Sequence, residues 1–200
     1  MNLPNKLTIL RIILVPFFVA AILAGDALPH HYLIALAIFA AASYTDHLDG
    51  KLARSRNLIT TFGKFMDPLA DKIMVISAFV CFVSLGVADV WLVLLIIFRE
   101  FMVTSVRLVA ADAGVVVAAN NWGKAKTVSQ IAAILAVLFF QYVLELVRLG
   151  LVPAFTIFGA DPAAVFVSVG HVFLLVATAL AVISGVIYLR QNWKIVAREM

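Results

Sequence analysis

The chain has 200 residues, of which 64% are hydrophobic and only 13% charged, and its mean hydropathy is +1.10. Such a composition excludes a water-soluble domain, whose helices show polar faces, and points to a membrane. The formal charge of +4 comes without a basic tail or basic–aromatic alternation, so nothing argues for nucleic acid, and the one cysteine, Cys81, excludes an internal disulfide.

A membrane span needs about 20 apolar residues to cross a hydrocarbon core of roughly 30 Å. The apolar runs predict an all-α polytopic membrane bundle with helices at about 6–25, 31–53, 62–86, 89–112, 122–149 and 164–190. No ten-residue blocks alternate with period two, as barrel strands would. Residues 1–200 read as a single membrane domain. The first run has Lys6 and Arg11 ahead of small residues at Ala24–Gly25, as a signal peptide does, but the charge alternation of the remaining chain requires it as an uncleaved span.

The connections Gly25–His30, Gly86–Asp89 and Gly150–Pro162 hold no lysine or arginine. The opposite ends hold Lys6, Arg11, Lys51, Arg54, Arg56, Lys64, Lys72, Arg107, Lys124, Lys126, Arg190, Lys194 and Arg198, with Arg148 the exception. This bias predicts six transmembrane helices with both termini cytoplasmic. The segment Leu151–Asp161 is apolar but contains Pro153 and Gly159, and reads as a re-entrant or interfacial loop.

Four aspartates interrupt the oil. Asp46 and Asp49 fall near the inner end of the second helix, and Asp67 and Asp71 near the start of the third. Helical spacings of three and four put each pair on one face. Carboxylates beside hydrocarbon mark a functional site, and four together repel unless cations neutralise them. All-oxygen ligation selects a hard ion, Mg²⁺ or Mn²⁺, and two such ions clamp the attacking and leaving oxygens of a phosphoryl displacement. Gly50 and Gly63 remove side chains where a pyrophosphate comes close, and Ala53 keeps the same face shallow. Arg54 can fork onto a phosphate, and Thr60 and Thr61 offer hydroxyls. A divalent-cation transporter is the alternative of a different class, but it would place carboxylates near the midplane on broken helices rather than beside an arginine at one end.

These residues form the pattern D-x2-D-G-x2-A-R-x8-G-x3-D-x3-D, with all eight fixed positions present from Asp46 to Asp71. The chain thereby resembles the CDP-alcohol phosphotransferases, membrane proteins of six helices, often homodimers, that move a phosphatidyl group from a CDP-linked lipid to an alcohol and release CMP. The resemblance implies two divalent ions held by Asp46, Asp49, Asp67 and Asp71, with Asp71 as general base. It implies nucleotide and pyrophosphate contacts from Gly50, Arg54 and Thr60, with Asn5 and Thr8 toward the nucleotide end.

Further stretches resemble one branch of that family, the bacterial phosphatidylglycerophosphate synthases. They are Leu3–Thr8 with Arg11, Phe62–Pro68, Ala70–Lys72, Arg99–Phe101, Arg107, and Gly123–Thr127 with Gln130, and a weaker echo at Ser184–Gly185 and Tyr188. The implied substrates are CDP-diacylglycerol and sn-glycerol 3-phosphate at the cytoplasmic face of a bacterial inner membrane. Phosphatidylglycerol, inositol phosphate and serine are the alternative acceptors.

An anionic acceptor also suits the charges. Arg99, Val103 and Arg107 share a helical face, and Arg99 is too deep to face lipid, so it needs a polar cavity or a partner such as Glu100. Lys124 and Lys126 open the next helix, whose amino end favours a phosphate. Arg107, Lys124 and Lys126 are therefore the expected acceptor-phosphate residues. His30 and His31 read as interfacial, His47 and His171 as packing residues, and Trp91, Trp122 and Trp193 as interfacial anchors.

Overall fold

The computed structural model describes residues 3–55, 61–112, 115 and 121–197. Within these ranges, the side chains of residues 3–4, 46–55, 61–65, 67, 112 and 194–196 are outside the description. Among the described residues the regular structure is helical: α1 (Leu3–Leu23), α2 (His31–Ser55), α3 (Thr61–Ser84), α4 (Val90–Asp112), α5 (Asn121–Arg148) and α6 (Pro162–Val196), with a 3₁₀ turn at Gly25–Ala27.

The helix ends follow from local chemistry. α1 stops at Leu23 rather than 25 because Gly25 turns left-handed, at φ 55°. α3 stops at Ser84 because Gly86, at φ 70°, lets Val87 N–H bond back to the Phe82 carbonyl at 2.9 Å. Gly150 does the same for α5, with Leu151 N–H reaching the Leu146 carbonyl at 3.0 Å. Asp89 caps α4 through Trp91 N–H at 2.7 Å, and Asp161 caps α6 through Ala163 N–H at 3.2 Å, with Pro162 in the first helical position. α6 runs on beyond residue 190 to Val196. Pro16 and Pro68 lie inside α1 and α3 without ending either helix.

The helices pack as a ring. α1 touches α2 and α3, α2 touches α5, α5 touches α6, α6 touches α4, and α4 returns to α3, with α5 also reaching α3 across the centre. One apolar cluster fills the interior, including Phe18, Phe39, Phe79 and Phe82, with Ile22, Ile96, Ile134, Leu138 and Leu174. Phe18 and Phe39 tie α1 to α2 with ring centroids 5.8 Å apart. Buried alanines (Ala35, Ala42, Ala78, Ala133, Ala177, Ala181) let the backbones approach, as small residues do between membrane helices.

The outside is apolar too. Phe17, Phe98, Phe101, Leu108 and Val128 are each at least 60% exposed. Water would not tolerate a belt of that kind on a monomer; lipid does. α1, α5 and α6 are long and apolar enough to cross a membrane by length and composition, with spans at Asn5–Leu23, Asn121–Arg148 and Pro162–Trp193 among the described residues. Leu151–Asp161 forms a surface turn closed by paired bonds between Ile157 and Ala160, with Phe158 fully exposed at its tip.

His31 departs from the interfacial reading. It is buried, its Nδ1 lies 3.1 Å from the Ala21 carbonyl oxygen, and its ring lies 4.0 Å from that of Tyr32. The reason is Glu145, on α5. α2 has no acidic residue in its first turn, and the Glu145 carboxylate accepts from His31 N–H at 2.9 Å and Tyr32 N–H at 3.2 Å. A helix amino end left in an apolar interior needs such an acceptor. Arg148 reaches Asp26 at 4.0 Å at the same end of the bundle, which gives this exception to the charge bias a partner.

Candidate active site

At the other end of the bundle five helices surround a cleft of about 70 Å³. Arg11 of α1, Ser43 of α2, Asp71 and Lys72 of α3, Glu100 of α4, and Lys126 and Gln130 of α5 all contribute to its wall. Below them the lining is apolar, with Phe39, Ala42, Met74 and Ile131.

Asp71 is accessible, with its side chain 56% exposed, and its Oδ1 lies 4.0 Å from Arg11 Nη1. Arg11 itself is buried. It shares a stripe of α1 with Asn5 and Thr8, which recur three residues apart and are buried as well. α3 is helical from Thr61 to Ser84, so positions 67 and 71 are one turn apart on one face. α2 is helical through Ser55, which puts positions 46, 49, 50 and 53 in one register beyond Ser43, a cleft residue. The side chains of Asp46, Asp49, Ala53, Arg54 and Asp67, and of the segment around Gly50 and Gly63, are outside the described residues, as is Thr60 altogether.

The donor chemistry fits a hard divalent cation. Asp71 presents an accessible carboxylate to the cleft, and the sequence supplies the other carboxylates at helical spacings on the same two elements. Among the described residues no cysteine lines the cleft; Cys81 is buried in the apolar core.

A buried polar network forms the cleft's inner wall. Glu100 Oε1 accepts from Arg99 Nη1 at 3.3 Å and is ion-paired with the Lys126 ammonium. Arg99 Nη2 donates to Ser184 Oγ on α6 at 2.7 Å. All four residues are buried. Gly185 makes room for them, because a Cβ there would sit 2.9 Å from Arg99 Cγ. Arg99 thus has both the carboxylate partner and the polar surroundings its depth demands. The network carries two cations to one carboxylate, so its excess charge favours an anion in the adjoining cleft.

The three candidate phosphate residues are not gathered at one point. Lys126 lines the cleft. Lys124 is exposed on the first turn of α5. Arg107 is exposed and lies against α6, where its Nε donates to Tyr188 Oη at 3.3 Å. Sequence reasoning gave no role to Gln130, Ser184 or Glu145; the first two stood only inside stretches of resemblance.

A family model described as CDP-alcohol phosphatidyltransferase matches residues 1–187. The chain belongs to the CDP-alcohol phosphatidyltransferase family. It is 42% identical to the "CDP-diacylglycerol--glycerol-3-phosphate 3-phosphatidyltransferase" of Bacillus subtilis (strain 168), over 96% of both chains. It is 36% identical to the protein of the same name from Pseudomonas fluorescens, over 96% of this chain and 91% of the relative. A "Probable phosphatidylglycerophosphate synthase" of Mycobacterium tuberculosis (strain ATCC 25618 / H37Rv) is 44% identical over 66% of this chain and 64% of its own length. Family membership gives the cleft its context: the aspartate pattern that carries the resemblance runs from α2 into α3, the two helices that bring Ser43 and Asp71 to the cleft wall.

Proposed function

We propose that this chain transfers the phosphatidyl group of CDP-diacylglycerol to sn-glycerol 3-phosphate, giving phosphatidylglycerol phosphate and CMP. The observation that carries the reading is the shared cleft of Asp71 and Lys126, an accessible carboxylate opposite a buried cation. The names of full-length relatives support the same substrates.

Asp71 accepts the proton of the acceptor's primary hydroxyl. The hydroxyl oxygen forms a bond to the β-phosphorus as the bond from that phosphorus to the CMP oxygen breaks. Lys126 holds the acceptor phosphate, with Arg107 and Lys124 guiding it at the rim. Asn5, Thr8, Gly50, Ala53, Arg54, Thr60 and Gly63 bind the nucleotide and pyrophosphate. Two Mg²⁺ or Mn²⁺ ions on Asp46, Asp49, Asp67 and Asp71 would supply neutralisation of the pyrophosphate charge.

The setting is a bacterial inner membrane crossed six times, with both termini and the cleft at the cytoplasmic side. The distribution of lysine and arginine supports it. A homodimer is the expected assembly. The test is purified protein with labelled CDP-diacylglycerol and, in turn, glycerol 3-phosphate, phosphatidylglycerol, inositol phosphate and serine. Metal-dependent CMP release with glycerol 3-phosphate supports the reading, and release with another acceptor alone overturns it. Failure to release CMP with any acceptor would favour a cation transporter.

A further inference from the structure

Gln130 stands out inside the cleft. Its side chain is buried, at 2% exposure, yet its Nε2 has no hydrogen-bond partner among the described residues. The buried cations nearby each have an ion-pair partner, Arg99 and Lys126 in Glu100 and Arg11 in Asp71, although Arg99 Nε, like Gln130 Nε2, has no hydrogen bond among the described residues. A buried amide donor without an acceptor is rare in folded proteins and calls for a specific explanation. Gln130 lies one helical turn beyond Lys126 on the same face of α5, about 6 Å further along the axis. It sits on the cleft wall with Ile131, while Asp71 lies on the α3 wall.

An uncharged donor suits an uncharged oxygen; the cations serve the phosphate. The bound substrates offer two kinds of neutral oxygen, a hydroxyl of the acceptor or an ester carbonyl of the lipid. Resting on the acceptor reading above, we infer that the Gln130 amide donates to the secondary hydroxyl of glycerol 3-phosphate and is a specificity-determining contact. Lys126 takes the phosphate and Asp71 the primary hydroxyl, which leaves the middle hydroxyl for the uncharged amide of Gln130, whose Nε2 has no hydrogen bond among the described residues. Three separate contacts on one three-carbon acceptor also distinguish its two mirror forms.

The experiment compares glycerol 3-phosphate with 3-hydroxypropyl phosphate, which lacks only the middle hydroxyl, in wild type and Gln130→Met. Wild type should favour glycerol 3-phosphate by about tenfold or more, since a site built to bond a hydroxyl rejects the analogue without it. Gln130→Met should lower kcat/KM for glycerol 3-phosphate by about 10–100-fold and change that for the deoxy acceptor by less than about threefold. Preference for sn-glycerol 3-phosphate over its sn-1 enantiomer should shrink in the same variant. Equal losses with both acceptors, or no loss, overturn the inference. Both acceptors are assayed on one preparation, so an inactive fraction cancels in the ratio, and Gln130→Leu reads the same ratio if Gln130→Met does not fold. Equal losses that vanish with an ether-linked CDP-dialkylglycerol would assign the amide to the lipid carbonyl instead and overturn the acceptor contact. Wild type that uses another acceptor but not glycerol 3-phosphate sinks the functional reading itself; wild type active on glycerol 3-phosphate with an unmoved ratio sinks only the Gln130 contact.

Discussion

Lys126 of α5 and Glu100 of α4 form an ion pair sealed within the bundle, the two residues being 6% and 7% exposed. The same carboxylate oxygen also takes Arg99. One anion therefore holds two cations in place at the wall of the cleft, and through Arg99 and Ser184 it links α4, α5 and α6.

Glu100→Gln keeps the shape and removes the charge. Two buried cations then lose their shared partner, at an expected cost of about 3–5 kcal/mol. Unfolding in detergent should show this loss, and the KM for glycerol 3-phosphate should rise more than that for the lipid. Adding Lys126→Met should recover part of the stability, because it removes one of the stranded charges. Strict additivity of the two substitutions would contradict the pairing.

Glu145→Ala tests the opposite end. It removes the carboxylate that accepts both first-turn N–H groups of α2. Hydrogen bonds to charged groups contribute about 1.5–3 kcal/mol each, so the unfolding temperature should fall clearly. The cleft lies at the far end of the bundle, so the folded fraction should keep its turnover. Unchanged stability would show that the cap is dispensable.

Gly185→Ala places a methyl group against Arg99, whose Cγ lies 2.9 Å from the new Cβ position, and near Met102 Cε at 3.1 Å. Overpacking of this kind costs about 1–3 kcal/mol. It should also displace the guanidinium from Ser184. Thermal unfolding with and without Ser184→Ala checks this: the two losses should overlap rather than add. Independent losses would contradict a shared seat.

Asp71→Asn should leave the fold and nucleotide binding in place while turnover falls by about 10²–10⁴, the usual range for a general base. Calorimetric titration with CDP-diacylglycerol in micelles checks binding, and CMP release checks turnover. Near-normal turnover would remove the base assignment.

Much of the fold was legible because lipid imposes a simple rule. Long apolar runs must be helical, and six runs gave six helices among the described residues, with ends displaced by a few residues where Gly25, Gly86 and Gly150 turn left-handed. The depth of Arg99 required a polar partner, and Glu100 is that partner. Contacts between residues far apart in sequence were not legible. Glu145 lies 114 residues from the His31 N–H it accepts, and no local pattern joins them. His31 read as interfacial for that reason, since nothing near it in sequence announces a buried acceptor. Ser184 and Gly185 were visible only as a resemblance, because their meaning depends on a helix crossing with Arg99.

The acceptor and the chemistry are both read by mass spectrometry of the lipid that purified protein makes from CDP-diacylglycerol and sn-glycerol 3-phosphate, with CMP counted in parallel. Phosphatidylglycerol phosphate and CMP should form in equal amounts. A different lipid product, or CMP formed without one, would contradict the proposed transfer.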